Sequence, residues 1–191
     1  IGKYEVSQAL FFTLMQTNPT VSQDCDSPRS SSNFSTPVSC VNFIDAARFA
    51  NEFSLLQGRK PCYTIHANQS ITRLENCMGC RLPSSDEWIY AASFGKKTKY
   101  AGSEASKDVA WTKENSNGIA HLPGKLKPNA LNIYDMSGNV MEWTETQSDE
   151  SYIVRGGSFY LPEDYSRVSK EEYLDATTMI SDQGLRLVCS P

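Results

Sequence analysis

No cysteine occurs between Cys80 and Cys189, and the whole chain has only two histidines, His66 and His121. The second half of the molecule therefore offers no thiolate to bind a soft metal ion or to attack a substrate until its last residues. The histidines sit in separate segments without metal-ligand spacing, and both read as ordinary surface or core residues. A Gly-x-Ser-x-Gly nucleophile elbow is missing, as is a phosphate-cradling glycine loop. No apolar run approaches the ~18–20 residues that span a bilayer. Positive charge is also scarce: 18 Lys and Arg stand against 22 Asp and Glu, giving a net charge of −4 and a pI near 5.2. That balance excludes nucleic acid as a partner, because no cationic excess exists to neutralise phosphates. The densest basic cluster, Lys96-Lys97-Thr98-Lys99, reads as a solvated loop. The acid pairs Glu163-Asp164 and Glu171-Glu172 read as solvated surface rather than as acid–base catalysts.

What is present fits one large domain. The 191 residues can bury a real core, and 39% hydrophobic with 21% charged content lies near ordinary globular values. Six cysteines (Cys25, Cys40, Cys62, Cys77, Cys80, Cys189) permit full pairing in 15 connectivities. Structural disulfides are the leading reading and point to an oxidising compartment, outside the cell or at its surface. Free core thiols remain open, as does a zinc or redox role for Cys77-Met-Gly-Cys80, although no second cysteine pair supplies further zinc ligands. The chain opens on Ile-Gly-Lys-Tyr-Glu-Val, which reads as the middle of a strand, so a preceding segment is expected.

Along the chain, Ile1 to Val6 alternates like a strand. Ser7 then caps a short apolar helix, Gln8 to Gln16, which Asn18-Pro19 stops. Thr20 to Pro37 is rich in Ser, Asn, Asp and Pro and reads as an irregular loop. The clearest helix is Asn42 to Leu56, with Phe43, Ala46, Ala47, Ala50 and Phe53 on one face and Gly58 as its stop. Pro61 to Ile65 predicts a strand, and Ala67 to Cys77 a hairpin or loop. Ser84 and Glu87 have the spacing of a capping box, starting a helix that turns Trp88, Ala91 and Ala92 inward and ends at Gly95. Beyond it, Gly, Asn and Pro leave no room for long helices. Tyr152 to Val154 and Leu185 to Val188 are short β-prone segments. The fold class is α+β: short antiparallel strands, two to three helices and much ordered loop.

The stretch Pro-Asn-Ala-Leu-Asn-Ile-Tyr-Asp-Met-Ser-Gly-Asn-Val-Met-Glu-Trp, residues 128–143, carries the most information. It is followed by Val154-Arg155-Gly156-Gly157-Ser158 and by Gly184-Leu185-Arg186-Leu187-Val188. Arg81-Leu82-Pro83-Ser84-Ser85-Asp86-Glu87-Trp88 and Pro61-Cys62-Tyr63-Thr64-Ile65 precede them in order. Together they resemble the formylglycine-generating-enzyme (sulfatase-modifying factor) domain, a variant of the C-type lectin fold, over nearly the whole chain. Met141 departs from the aromatic residue usual at its position.

The resemblance implies two things about sites. A structural calcium ion would be held by the side chains of Asp135 and Glu142 and the backbone of Gly138 and Val140, hard oxygen donors that suit calcium. No other cofactor is required. The family's oxidising enzymes carry copper on two cysteines shortly after the Gly-Gly-Ser turn, and this chain has none there; a related branch of sulfoxide synthases needs three histidines. The segment instead holds Tyr160, Glu163, Asp164, Tyr165, Lys170, Glu172, Tyr173, Asp175, Met179 and Asp182, interleaved with framework residues. Such a pattern looks like the variable proteins of diversity-generating retroelements, whose C-terminal surface binds ligands with the Tyr-rich logic of a paratope. The expected function is thus non-catalytic binding of a protein or surface ligand. The alternatives are an oxidoreductase or accessory domain with altered active-site cysteines, and a regulatory domain of a larger protein.

Overall fold

The computed structural model describes residues 1–22, 25, 33–94 and 96–190. Its first helix, α1 (Gln8–Met15), starts where the Ser7 side chain accepts the Leu10 N–H, and Gln16 closes it in a left-handed conformation. A 3-10 turn, Pro19–Val21, follows, so the loop expected from Thr20 opens with a turn; residues 23, 24 and 26–32 of that loop lie outside the described residues. Helix α2 (Phe43–Leu56) is capped by Asn42, whose side chain accepts from Asp45 N. Of the expected stripe, Phe43, Ala46, Ala47 and Ala50 are shut from solvent and Phe53 is half-buried at its end. Strands β1 (Tyr63–Ile65) and β2 (Ile71–Arg73) form a small hairpin, and β3 (Cys80–Arg81) leads into α3 (Ser85–Ser93). The Ser84/Glu87 capping box is present in full. The expected stop at Gly95 falls outside the described residues; Phe94 caps the helix.

The second half is mostly sheet and ordered loop. Strand β4 (Ala110–Trp111) pairs in parallel with β5 (Ser137–Gly138). The main sheet holds β6 (Met141–Ser148), β7 (Ser151–Arg155), β8 (Glu172–Leu174) and β9 (Gln183–Gly184), in the order β8-β7-β6-β9. Strand β10 (Val188–Cys189) returns to pair with β3. The Leu185–Val188 strand expected from sequence is thus displaced: Leu185 to Leu187 form the link between β9 and β10. Ile1 to Val6 is not a strand either. It runs alongside that link through single bonds, Gly2 N to Leu187 O at 2.8 Å and Val6 N to Leu185 O at 3.0 Å, too sparse to make a ladder.

The larger core gathers Phe11, Phe43, Phe49, Leu82, Trp143 and Leu185 between α1, α2 and the main sheet, and a smaller one surrounds Trp88. Phe43 sits at the centre, stacked on Tyr152 at 3.6 Å and edge-on to Trp143 at 5.7 Å. All six cysteines are paired: Cys25–Cys40, Cys62–Cys77 and Cys80–Cys189. The zinc and redox readings of Cys77 and Cys80 are overturned, because the two sulfurs belong to different disulfides. Free core thiols are overturned with them.

Candidate functional site

The Asp135–Glu142 turn is a rigid buried frame. Gly138 has a φ of +78°, and a Cβ there would stand 2.3 Å from the Trp111 carbonyl oxygen, so only glycine lets β5 lie on β4. Glu142 is fully buried and faces Arg186, also fully buried, at 2.7 Å. Its other oxygen accepts the Trp88 indole N–H at 2.7 Å. Arg186 further donates to the backbone oxygens of Gly2 and Tyr134. Glu5, which the sequence did not mark as a site residue, joins this cluster: its carboxylate accepts Asn139 Nδ2 at 2.7 Å and Val140 N at 3.1 Å. Burial, then the nearby Asp135 and Glu142 charges, push its carboxyl well above the usual range.

Within the expected calcium set the two carboxylates differ. Asp135 accepts Gly124 N on Oδ2 at 2.7 Å, while its buried Oδ1 has no hydrogen-bond partner. Burial is the main cause that raises the Asp135 carboxyl. A hard cation on Oδ1 would satisfy that orphaned oxygen. Glu142 could contribute only by sharing an oxygen with Arg186 or Trp88. Among the described residues no group of three acidic, His or Cys side chains is arranged around a metal position.

The expected ligand-binding residues divide by burial. Tyr160, Asp164, Tyr165, Tyr173 and Asp175 are exposed, Tyr173 at 50% and Tyr160 at 43%. Glu163, Glu172 and Met179 are half-buried, and Lys170 is exposed. Lys170 ties several together: its ammonium lies 5.2 Å from the Tyr165 ring centroid and 3.0 Å from Glu172. The Tyr173 hydroxyl donates to Glu171, which is paired at 2.6 Å with the buried Arg155. Asp164 meets Arg167, and Lys99 at 3.7 Å; the Arg167 hydrogen bond lowers its carboxyl. Met179 is set apart, lining a groove whose other walls include Phe12 and Phe34 of the N-terminal half.

Asp182 is a correction. It is 6% exposed, accepts the Ser158 hydroxyl, and its backbone oxygen takes the Met141 N–H. Burial raises its carboxyl. It braces the frame and has no face to offer a ligand. Sequence reasoning also missed Lys99, Ser106 and Asn115, which surround Glu163 in a cleft of about 420 Å³. The basic cluster carrying Lys99 was legible, but nothing in the sequence showed that a loop some sixty residues upstream would lie beside Asp164.

No thiol is available anywhere, since every cysteine is in a disulfide. The histidines are also accounted for: His66 contacts Thr72 at 3.0 Å, and His121 stacks on Trp111 at 3.8 Å.

A family model described as the sulfatase-modifying factor enzyme 1-like domain matches residues 1–191. The chaperone protein LppX of Paenibacillus barcinonensis is 32% identical over 231 aligned positions, covering all of this chain and 79% of that protein. Treponema denticola variable protein 1 superposes with a TM-score of 0.87 at 29% identity, covering 100% of this chain and 84% of that one. CarF follows at a TM-score of 0.76 and 26% identity, covering 99% and 85%. PvdO from Pseudomonas aeruginosa, at 20% identity and a TM-score of 0.73 over 97% and 77% of the two chains, shares the fold.

Proposed function

The chain belongs to the sulfatase-modifying factor enzyme 1-like domain family, and from that premise we propose that it is a non-catalytic member that binds a protein or surface ligand through its C-terminal face. The carrying observation is a contrast within one segment. Between Ser158 and Gly184 the buried positions include the frame residues Ser158, Ser166, Val168 and Asp182, while the exposed ones include Tyr160, Asp164, Tyr165, Lys170, Tyr173 and Asp175. Tyrosines of this kind give large contact area at low entropic cost. The copper chemistry of the family's oxidising enzymes needs thiolates, and this chain has none free; the three-histidine alternative meets only two histidines. The likeness to a variable protein supports the further reading that these exposed positions vary between copies of the gene. Three disulfides suit a place outside the cell or on its surface, and among the described residues no helix is long and apolar enough to cross a membrane. In this reading calcium is structural, held at Asp135 Oδ1 with the backbone of Gly138 and Val140 and a shared oxygen of Glu142.

Two measurements test the reading. Sequencing the gene's 3′ end from several isolates should find substitutions at Tyr160, Asp164, Tyr173 and Asp175 and none at Arg155, Gly156 or Arg186. Uniform codons at the four positions would remove the variable-surface reading. Incubation with copper and a cysteine-containing sulfatase peptide should leave the cysteine unoxidised; turnover to formylglycine would overturn the non-catalytic reading.

A further inference from the structure

Ser116-Asn117-Gly118 is the one place in the sequence where asparagine precedes glycine. The pair lies in the loop that follows β4. Asn117 and Gly118 have φ of +58° and +74°, the sign that both central residues of a type I′ turn need and that Asn and Gly adopt most readily. Asn117 is exposed, and its carboxamide holds no hydrogen bond to a described residue. The residue before it is fixed instead. Ser116 is fully buried; its hydroxyl donates to Phe159 O at 2.6 Å and accepts the Gly118 N–H at 3.0 Å. Its carbonyl oxygen lies 2.8 Å from His121 Nε2.

The other exposed asparagines lack this combination. Asn33, Asn68, Asn76 and Asn132 precede Phe34, Gln69, Cys77 and Ile133, whose side chains crowd the next backbone nitrogen. Asn33 and Asn68 also engage their Oδ1 with the N–H groups of Ser35 and Ser70.

We propose that Asn117 is a site of covalent modification, where the side-chain amide is replaced by a carboxylate through a cyclic imide. The Gly118 nitrogen loses its proton to solvent base and attacks Asn117 Cγ. The new N–Cγ bond closes a succinimide ring, the Cγ–Nδ2 bond breaks, and Nδ2 takes up a proton and leaves as ammonia. Water then opens the ring. Cleavage of the N–Cγ bond gives aspartate, and cleavage between the Asn117 carbonyl carbon and the Gly118 nitrogen gives isoaspartate, with the main chain running through Cγ. Water is the only reactant added, and nothing is oxidised or reduced. Glycine matters because no Cβ shields its nitrogen or limits its rotation. Ser116 matters because its hydroxyl holds the attacking N–H. That bond must break before the nitrogen can turn onto Cγ, so the fold slows a reaction that the sequence permits.

Either product adds one negative charge to the loop. Isoaspartate also adds a methylene to the main chain between Ser116 and Gly118, which pulls the Gly118 N–H off the hydroxyl that holds Phe159 O. Tyr160, exposed on the C-terminal face, follows Phe159 directly, so the change reaches that face through Ser116. The site itself stands whether or not the face binds a ligand.

The test holds the intact, disulfide-bonded protein in warm, mildly alkaline buffer and maps tryptic peptides by mass spectrometry against an unincubated control. Electron-transfer fragmentation separates Asn117 from Asn115 within the peptide Glu114–Lys125. Isoaspartate is expected at Asn117, faster than at Asn33, Asn68, Asn76 or Asn132, and faster as pH rises. Conversion should be several-fold quicker in urea, and Ser116→Ala in native buffer should approach that rate. Conversion at Asn117 no faster than at the other four would overturn the site. Equal rates for the parent in native buffer and in urea would overturn the hold by Ser116, a comparison that stands even if the variant does not fold. In the purified isoaspartate form the Tyr160 amide signal should shift in a two-dimensional NMR spectrum. An unmoved signal would overturn the link to the face.

Discussion

At the scale of single residues, the frame is governed by charges that have left water. Glu142 and Arg186 are both fully buried, and each is matched by more than its partner: Trp88 serves Glu142, while backbone oxygens serve Arg186. Burial alone would make such a pair costly, and these extra bonds are what let it persist. Asp135 is different, because its Oδ1 is buried without a partner. If calcium supplies the missing contact, thermal melting with millimolar calcium should lie several degrees above melting with EDTA. A ligand at 100 times its dissociation constant adds about 2.7 kcal/mol, and about 1 kcal/mol moves the midpoint by ~2–4 °C for a domain of this size. Asp135→Asn, which tolerates the +56° φ and keeps the Gly124 bond, should erase most of the difference. Superimposable melts of the parent protein in calcium and in EDTA would remove the ion. The residue types at this turn were legible in the sequence. The Arg186 contact was not, since 44 residues separate it from Glu142. Asp182 failed for a related reason: a polar side chain serving the backbone frame has the same letter as one serving a ligand.

At the scale of elements, legibility followed local physics. Helices α1, α2 and α3 were read correctly because their caps and apolar stripes lie within a few residues of one another. Strand β6 was not, although it is the longest strand described. Its sequence, Met-Glu-Trp-Thr-Glu-Thr-Gln-Ser, does not alternate, because the first four residues are all buried and Glu142 is neutralised from afar. The α3 start offers a test. Glu87 is held at about 2 against its usual 4.5, first by the hydrogen bond from Arg81, against the opposing effect of burial, and then by the Ser84 N–H. Folding lowers this pKa, so the stabilisation is complete above the unfolded value and is lost as pH falls from 4.5 towards 2. Unfolding in urea between pH 5 and pH 2 should therefore show a shallower acid decline in Glu87→Gln than in the parent. Ser84→Ala should cost about 1 kcal/mol at neutral pH. Parallel acid declines in the parent and Glu87→Gln would show that the Arg81–Glu87 contact contributes nothing.

At the scale of the molecule, six cysteines left 15 connectivities open, and only the fold chooses among them. The choice has an energetic consequence. Cys25–Cys40 and Cys62–Cys77 each close a separation of 15 residues, whereas Cys80–Cys189 closes 109 and fastens β10 to β3. In the chain-entropy account a 15-residue loop contributes about 3 kcal/mol and a 100-residue loop about 4.7 kcal/mol. Cys80→Ala/Cys189→Ala should thus lose roughly 1–2 kcal/mol more stability than Cys62→Ala/Cys77→Ala, read from urea unfolding without reductant. The long bridge also restrains the end that carries Arg186, three residues before Cys189, so its loss should loosen the Glu142 cluster as well. A smaller loss for the long-loop variant than for the short-loop one would reverse the entropic order. A proteolytic digest without reductant should place Cys77 and Cys80 in cross-links to different partners. A Cys77–Cys80 disulfide would instead reopen the redox reading that this connectivity closes.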